Sequence, residues 1–329
     1  MNTTQPIDLV TVGSLFMEIT PTTPREALTE AHHYTLVAGG AAANVVFALA
    51  RLGVKLRFIT AVGDDEFGTL AANELAAFGV DNTGVRRVPG QLTPVSFCSV
   101  DGRGGKLFRF YRFPGSCSPM EMLTAEDFAA VTACRLFDFS EGSIREQTLR
   151  PLVFQAARAA RAAGVPVLYA LNLRRSSWNV PEEEIKAIER AAISLADILV
   201  LNAEELAFLT GQGIDDGLRE VQALGPHTVV LTQGGDGDVI VRVGEGQAAV
   251  PPFHVPVVYD VGAGDTFHAG LVATALRGGN PVHLSLEEWT AAARFAAATA
   301  AIRVSTSADP HDLPTYAQVE AWLGTHGGS

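Results

Sequence analysis

The sequence predicts an α/β fold: a doubly wound domain whose mostly parallel sheet is flanked by helices and carries a small β-sheet lid. Three observations predict it. Short β-branched or apolar runs alternate with helical stretches along most of the 329 residues. Two segments, 14–37 and 93–113, break that rhythm with short, turn-rich stretches suited to a peripheral sheet. No repeat, low-complexity tract or charge run interrupts the plan, so residues 1–329 read as a single domain with the lid inserted in it.

Residues 7–12 form a β-branched run stopped by Gly13, a buried strand leading into a loop. Gly39-Gly40 opens a helix over 41–51, and a strand at 56–61 and a helix at 67–78 continue the alternation. Strands over 93–100 and 106–113 flank Asp101-Gly102-Arg103-Gly104-Gly105, a hairpin signal whose arms can pair with the strands of 14–37. Regular alternation follows: strand 136–139, helix 147–163 stopped by Gly164, strand 167–171, a helix begun by Pro181, strand 198–201, a helix over 203–209 closed by Gly211, and strand 228–232. Runs 239–243 and 247–250 form an antiparallel pair at the sheet edge, and the chain from 263 onward is mostly helical.

Composition bounds the function. With 47% hydrophobic and 18% charged residues, the chain is neither disordered nor fibrous. The 24 Lys and Arg against 36 Asp and Glu give a formal charge of -12, which argues against nucleic acid or an anionic membrane as partner. Cys98, Cys117 and Cys134 are too few and too far apart for a disulfide framework or a four-ligand zinc site. Reduced thiols and a cytoplasmic location are expected. Residues 1–8 lack the pattern of a secretion signal, and no apolar run is long enough to span a membrane.

In open α/β sheets, ligands bind beyond the carboxyl ends of the strands. The strongest constellation for such a site is Asp260-Val261-Gly262-Ala263-Gly264-Asp265-Thr266-Phe267, a glycine-rich turn that ends at a helix start. First-turn amides lack intrahelical acceptors and the helix dipole favours negative charge, so this junction suits a phosphate. Asp265 would stand where a carboxylate can take a proton from a hydroxyl attacking that phosphate. A first-turn aspartate that only caps or complements the dipole has the same spacing. The loop is not of the Walker type, because no Gly-Lys-Ser/Thr follows. Gly39-Gly40-Ala41-Ala42-Ala43-Asn44 is a second glycine-to-helix junction, and its small residues suit either a close ligand or close helix-on-sheet packing. Asn44 discriminates, since a buried amide needs a partner. A dinucleotide-dependent oxidoreductase is excluded: Gly13 stands alone where Gly-x-Gly-x-x-Gly would follow the first strand.

Residues 39–53 resemble the first signature of the PfkB, or ribokinase-like, carbohydrate kinase family, and residues 262–267 resemble its second. Asn202-Ala203-Glu204-Glu205 is similar to the family's Asn-x-x-Glu element, and Thr232-Gln233-Gly234-Gly235-Asp236-Gly237 to its Thr-x-Gly-x-x-Gly nucleotide loop. Gly63-Asp64-Asp65-Glu66-Phe67-Gly68 also has the family's look, and the motifs stand in the family's order. The resemblance implies a ribokinase-like fold and ATP-dependent phosphorylation of a hydroxyl of a small sugar or sugar acid. It implies Asp265 as general base, with the Gly262-Ala263-Gly264 loop stabilising the transferring phosphoryl group. Thr232, Gly234, Gly237, Ala263, Gly264 and Asn202 would border ATP, while Asn202 and Glu205 would order the waters of a nucleotide-bound Mg2+. Glu18, Gly39, Gly40, Asn44 and Asp265 itself would contact the sugar. Phe108-Arg109-Phe110-Tyr111-Arg112 and the segment from Asn172 through Arg174 to Trp178 resemble stretches of fructokinases and 2-keto-3-deoxygluconate kinases. They add Phe110, Arg112 and Arg174 to the substrate site, and strand alternation sends Phe108, Phe110 and Arg112 to one face.

Four positions depart from the family pattern. Tyr259 stands six residues before the base, where the family usually has an Asp, often near a bound monovalent cation. This counts against a K+ site unless a local shift lets Asp260 take the carboxylate's place. Glu18 stands for the usual Asp of the first substrate loop, Ala170 for an Asp two residues before Asn172, and Ser118 for an Asp after the lid. These read as changes in sugar specificity and ion requirement. A nucleoside kinase of the same fold and a non-catalytic sugar or nucleotide sensor are the alternatives. The exposed face of the lid offers a surface for a homodimer.

Overall fold

Successive residues of the strand Leu9–Val12 (β1) enter opposite core layers, Leu9 one and Val10 the other. The same division recurs at Leu136 and Phe137, Leu168 and Tyr169, and Ile198 and Leu199. Strands buried on both faces carry apolar residues at both parities, which is why these runs are nearly continuous rather than alternating in the sequence. The chain is seen here as a computed structural model that describes residues 7–23, 26–100, 106–111, 123–307 and 309–326.

Among the described residues the remaining strands are β2 (Phe16–Pro21), β3 (Tyr34–Gly39), β4 (Leu56–Gly63), β5 (Val85–Val88), β6 (Val95–Val100), β7 (Lys106–Tyr111), β8 (Leu136–Ser140), β9 (Val167–Ala170), β10 (Ile198–Asn202), β11 (Thr228–Thr232), β12 (Val239–Val243) and β13 (Gly246–Val250). The large sheet has the order β13-β12-β11-β10-β9-β8-β1-β4-β5. It is parallel from β11 through β5, and β12 and β13 add the expected antiparallel edge. A second sheet, β3-β2-β6-β7, is built from the two irregular segments. The fold is thus a large mostly parallel sheet flanked by helices with a small second sheet. The hairpin turn at 101–105 lies outside the described residues.

The edge strand β5, Val-Arg-Arg-Val, escapes prediction because its four half-buried residues carry no apolar run. Helices Ala125–Val131 and Ile214–Gln222 also go unpredicted, being short, with acidic first turns and few buried residues. One core layer holds helices Ala41–Arg51, Ala263–Gly278 and Leu286–Thr306; the other holds Arg150–Ala162 and Glu182–Ile193. Helix Ala263–Gly278 is buried almost all round, so its sequence is apolar without a polar face. A Cβ on its Gly270 would lie 2.9 Å from the Ala296 Cα, so the two long helices pack nearly backbone to backbone. No helix among the described residues is long and apolar enough to cross a membrane.

Candidate active site

The carboxyl ends of β1, β8, β9, β10 and β11 open toward the N-terminus of helix Ala263–Gly278. Gly262 precedes that helix with φ 83°, a left-handed conformation that turns the chain into the first helical turn at little cost only for glycine. Asp265 is buried in that turn. Its Oδ2 accepts a hydrogen bond from Asn44 Nδ2 at 3.0 Å, and its Oδ1 faces Asn172 Nδ2 at 3.4 Å. Asn44, half-buried, therefore has a partner for its amide, reached across 221 residues of sequence. Asn172 holds φ 42°, the one positive value at a non-glycine among the described residues, and this aims its amide back at the site.

Burial pushes the Asp265 carboxyl above the ordinary aspartate value, against the hydrogen bond from Asn44 and the charges of Arg174 and His268. Beneath it, His268 Nε2 and Asp138 Oδ1 stand 3.0 Å apart, and the Thr11 hydroxyl donates to Asp138 Oδ2 at 3.0 Å. That chain ties the helix to β1 and β8. Neither Asp138 nor His268 belongs to a local sequence pattern, and both escape sequence reasoning.

Two cavities meet at Asp265. One, of about 290 Å3, is lined by Glu18, Gly40, Asn44, Phe108, Phe110 and Arg174, together with the Gly262-Ala263-Gly264 loop. Glu18 is buried there, and its carboxyl is raised to about 7, first by burial and then by the charge of Asp265, with Arg174 opposing. Gly39 stands behind the wall: a Cβ on it would sit 3.1 Å from the Glu18 Cβ. Gly40, at φ 115°, would meet the Ser14 carbonyl oxygen at 2.8 Å, so close packing and cavity lining both act at this junction. Alternation along β7 holds, since Phe108 and Phe110 face the cavity while Tyr111 packs edge-on against Phe97 on the other side. The Arg174 guanidinium lies 4.8 Å from the Phe108 ring centroid. Arg112 and Ser118 lie outside the described residues. Arg145 and Glu141 also line this cavity and were not anticipated. Glu141 accepts from Arg145 at 3.1 Å and from Trp178 Nε1 at 2.5 Å, so Trp178 was their only signal.

The other cavity, about 120 Å3, brings Asn202, Glu205 and Thr232 to the opposite side of Asp265 and Gly264. Asn202 and Glu205 form a reciprocal cap: the Glu205 amide donates to Asn202 Oδ1, and the Asn202 amide to Glu205 Oε2. Glu205 Oε1 also accepts from the Leu173 amide at 2.7 Å, pinning the loop that carries Asn172 and Arg174. Burial raises its carboxyl to about 7 against these hydrogen bonds. Both oxygens being held by backbone amides, Glu205 suits contact with a hydrated cation through water better than direct ligation. Gly234 and Gly237 lie in the loop after β11 and line neither of these two cavities.

Asp260 does not take the place of the missing carboxylate at 259. It lines the large cavity, whereas Tyr259 lines a separate small one with Arg303, because the two neighbours point to different sides of the segment. The Gly63–Gly68 motif also proves structural: Asp65 accepts from the Gly68 amide at 2.8 Å and from Thr93 Oγ1 at 2.6 Å, joining β4 and its following helix to the start of β6.

A family profile described as pfkB family carbohydrate kinase matches residues 7–315. Fructokinase-1 of Zea mays is 32% identical over 317 residues, covering 94% of this chain and 96% of that protein. A fructokinase from Xylella fastidiosa solved with bound ATP superposes with a TM-score of 0.85 at 25% identity, over 98% of this chain and 100% of that one. A double-mutant fructokinase from Vibrio cholerae O395, solved with fructose, ADP and a potassium ion, gives 0.82 at 26% identity, covering 97% and 99%.

Proposed function

Because this chain belongs to the pfkB family of carbohydrate kinases and phosphorylates a sugar with ATP, we propose that its acceptor is a neutral ketohexose of the fructose type and that Asp265 is the general base. The observation that carries this reading is the position of Asp265, which lines both cavities at the head of a helix. A group between an acceptor pocket and a donor pocket can deprotonate the one while the phosphoryl group arrives from the other.

The acceptor would lie in the larger cavity, with Glu18 and Asn44 holding its hydroxyls and Phe108 and Phe110 walling it from water. Charge favours a neutral sugar over a sugar acid. The described lining includes four carboxylates, Glu18, Glu141, Asp260 and Asp265, against the two guanidinium groups of Arg145 and Arg174. A further anion would enter an already acidic pocket. ATP would enter from the smaller cavity, beside Thr232 and Asn202, with Gly234 and Gly237 in the loop beyond. Magnesium bound with the nucleotide offsets phosphate charge, and Asn202 and Glu205 would hold its water shell.

In the transfer, Asp265 takes the proton of the attacking hydroxyl at a carboxylate oxygen already fixed by Asn44. The amides of Ala263, Gly264 and Asp265 meet the charge on the passing phosphoryl oxygens, at a helix end pre-aligned for it. Closure of the small sheet over the sugar would exclude water as a competing acceptor. Its outer face, where Tyr34, Leu36 and Tyr111 are exposed, is the surface we assign to a homodimer; we place the enzyme in the cytoplasm.

The test is ADP release with magnesium and ATP against fructose, other ketoses, ribose, 2-keto-3-deoxygluconate and nucleosides. Fructose is expected to give the highest kcat/KM. A preference for 2-keto-3-deoxygluconate overturns the charge reading, a preference for nucleosides overturns the ketose reading, and ATP binding without turnover on any acceptor points to a sensor.

A further inference from the structure

Arg303 is one of the largest fully buried side chains of the protein, at 1% exposure near the end of helix Leu286–Thr306. Its Nη1 donates to the Ser307 carbonyl at 2.8 Å, whereas Nη2 is buried without a partner among the described residues. The guanidinium carbon lies 6.0 Å from the Tyr259 ring centroid. Both side chains line a cavity of about 20 Å3, bordered also by Glu18, Asn44, Val261 and Gly262. The turn into the phosphate cradle therefore rests on a wall containing a fixed positive charge. The same segment is tied to the helix end by the amides of Val258 and Tyr259, which donate to the Val304 carbonyl at 2.8 and 3.1 Å.

A monovalent metal cation held against this turn needs oxygen ligands and an anionic group to offset its lost hydration. The one carboxyl among the described residues bordering this cavity, Glu18, is raised to about 7 by burial and by the charge of Asp265, so the residues present do not fit one. Position 259 supplies a phenol, kept protonated because burial raises its pKa far above the ordinary tyrosine value. Asp260 lines the other cavity. Arg303 brings a charge of the same sign as the ion it would have to neighbour, and arginine stays protonated in proteins even where burial lowers its pKa.

We propose that Arg303 is a positioning residue that supplies by side chain the positive charge under the 259–262 turn, so that phosphoryl transfer in this protein has no monovalent-cation requirement. The proposal rests on the kinase reading, and its tests separate the two. The first measurement is kcat/KM for sugar phosphorylation in KCl, NaCl and tetramethylammonium chloride at equal ionic strength, where screening is the same in all three. The expected values agree within about twofold; activation by potassium of about tenfold or more overturns the proposal. Calorimetric affinity for magnesium-ATP in the same three salts needs no turnover. Equal affinity is expected, and tightening specific to potassium overturns the proposal even if the acceptor sugar is misassigned.

Variants then test the side chain itself. Arg303→Met is expected to lose roughly 10- to 100-fold in kcat, less than the roughly 10²- to 10³-fold for removing one preorganised donor that touches the reacting group, with potassium giving no rescue while Tyr259 remains. Tyr259→Asp/Arg303→Met is expected to gain a potassium dependence that the natural protein lacks. Arg303→Lys, which keeps the charge, guards against a folding artefact, and it should retain more activity than Arg303→Met. If Met and Lys at 303 behave alike, the charge does not matter and the proposal fails.

Discussion

The two walls of the larger cavity are built in opposite ways. One is the head of helix Ala263–Gly278, sunk in the core, with Asp265 buried and fixed by amides from two other segments. The other is the small sheet, which leaves Tyr34, Leu36, Phe110 and Tyr111 exposed. On the proposed reading, the group that would meet the phosphoryl transfer, Asp265, is the one held by close packing. The aromatic side chains that would close on a sugar, Phe108 and Phe110, sit on an edge strand of the small sheet. The contrast suggests that chemistry resides in the helix head and acceptor choice in the sheet, and variants can separate the two.

The sharpest test is Asp265→Asn. Turnover is expected to fall by roughly 10²- to 10⁴-fold with magnesium-ATP affinity largely kept, since the amide cannot accept the proton but fills the same space. Rapid-quench rates and calorimetry would check both halves, and near-normal turnover would falsify the assignment of the base. On the opposite wall, Phe108→Ala is expected to raise the sugar KM by about tenfold with kcat nearly unchanged, the loss of one aromatic face and its cation–π contact with Arg174. A fall in kcat instead would mean that the sheet takes part in chemistry.

Glu18 belongs to the small sheet yet feels Asp265, so it probes the boundary between the walls. Glu18→Gln removes a carboxyl raised to about 7 by burial and by the charge of Asp265. The kcat/KM profile is expected to lose an inflection near pH 7. An inflection that persists in Glu18→Gln would show that Glu18 is not the group titrating there. The smallest effect is on stability. Glu18 and Glu205 are raised to about 7 and Glu189 to about 8, from 4.5. Between 4.5 and those values the folded chain keeps protons that the unfolded chain has released, so stability falls as pH rises through that window. Urea melts at pH 5.5 and 8 should show the lower midpoint at pH 8, with a smaller difference in Glu18→Gln.

Much of this was open to sequence reading because it is local. The strand at β11 and the pair β12 and β13 could be placed closely from apolar runs and turns. The cradle at Gly262 and the cap joining Asn202 to Glu205 are likewise contained within a few consecutive residues. Glu205 shows where such reading stops: its spacing announces the cap, but not the bond to Leu173 that holds the loop carrying Asn172 and Arg174.

What the sequence alone determined is the set of helix heads, strands and glycine turns, since capping, periodicity and left-handed backbone depend on neighbours a few positions apart. Tertiary structure decided which of those ends face one another. Only the fold brings Asn44 to Asp265, Asp138 to His268 and Arg303 under Tyr259. The burial that raises Asp265 and Glu18 above ordinary carboxylates exists only once several segments have closed around them.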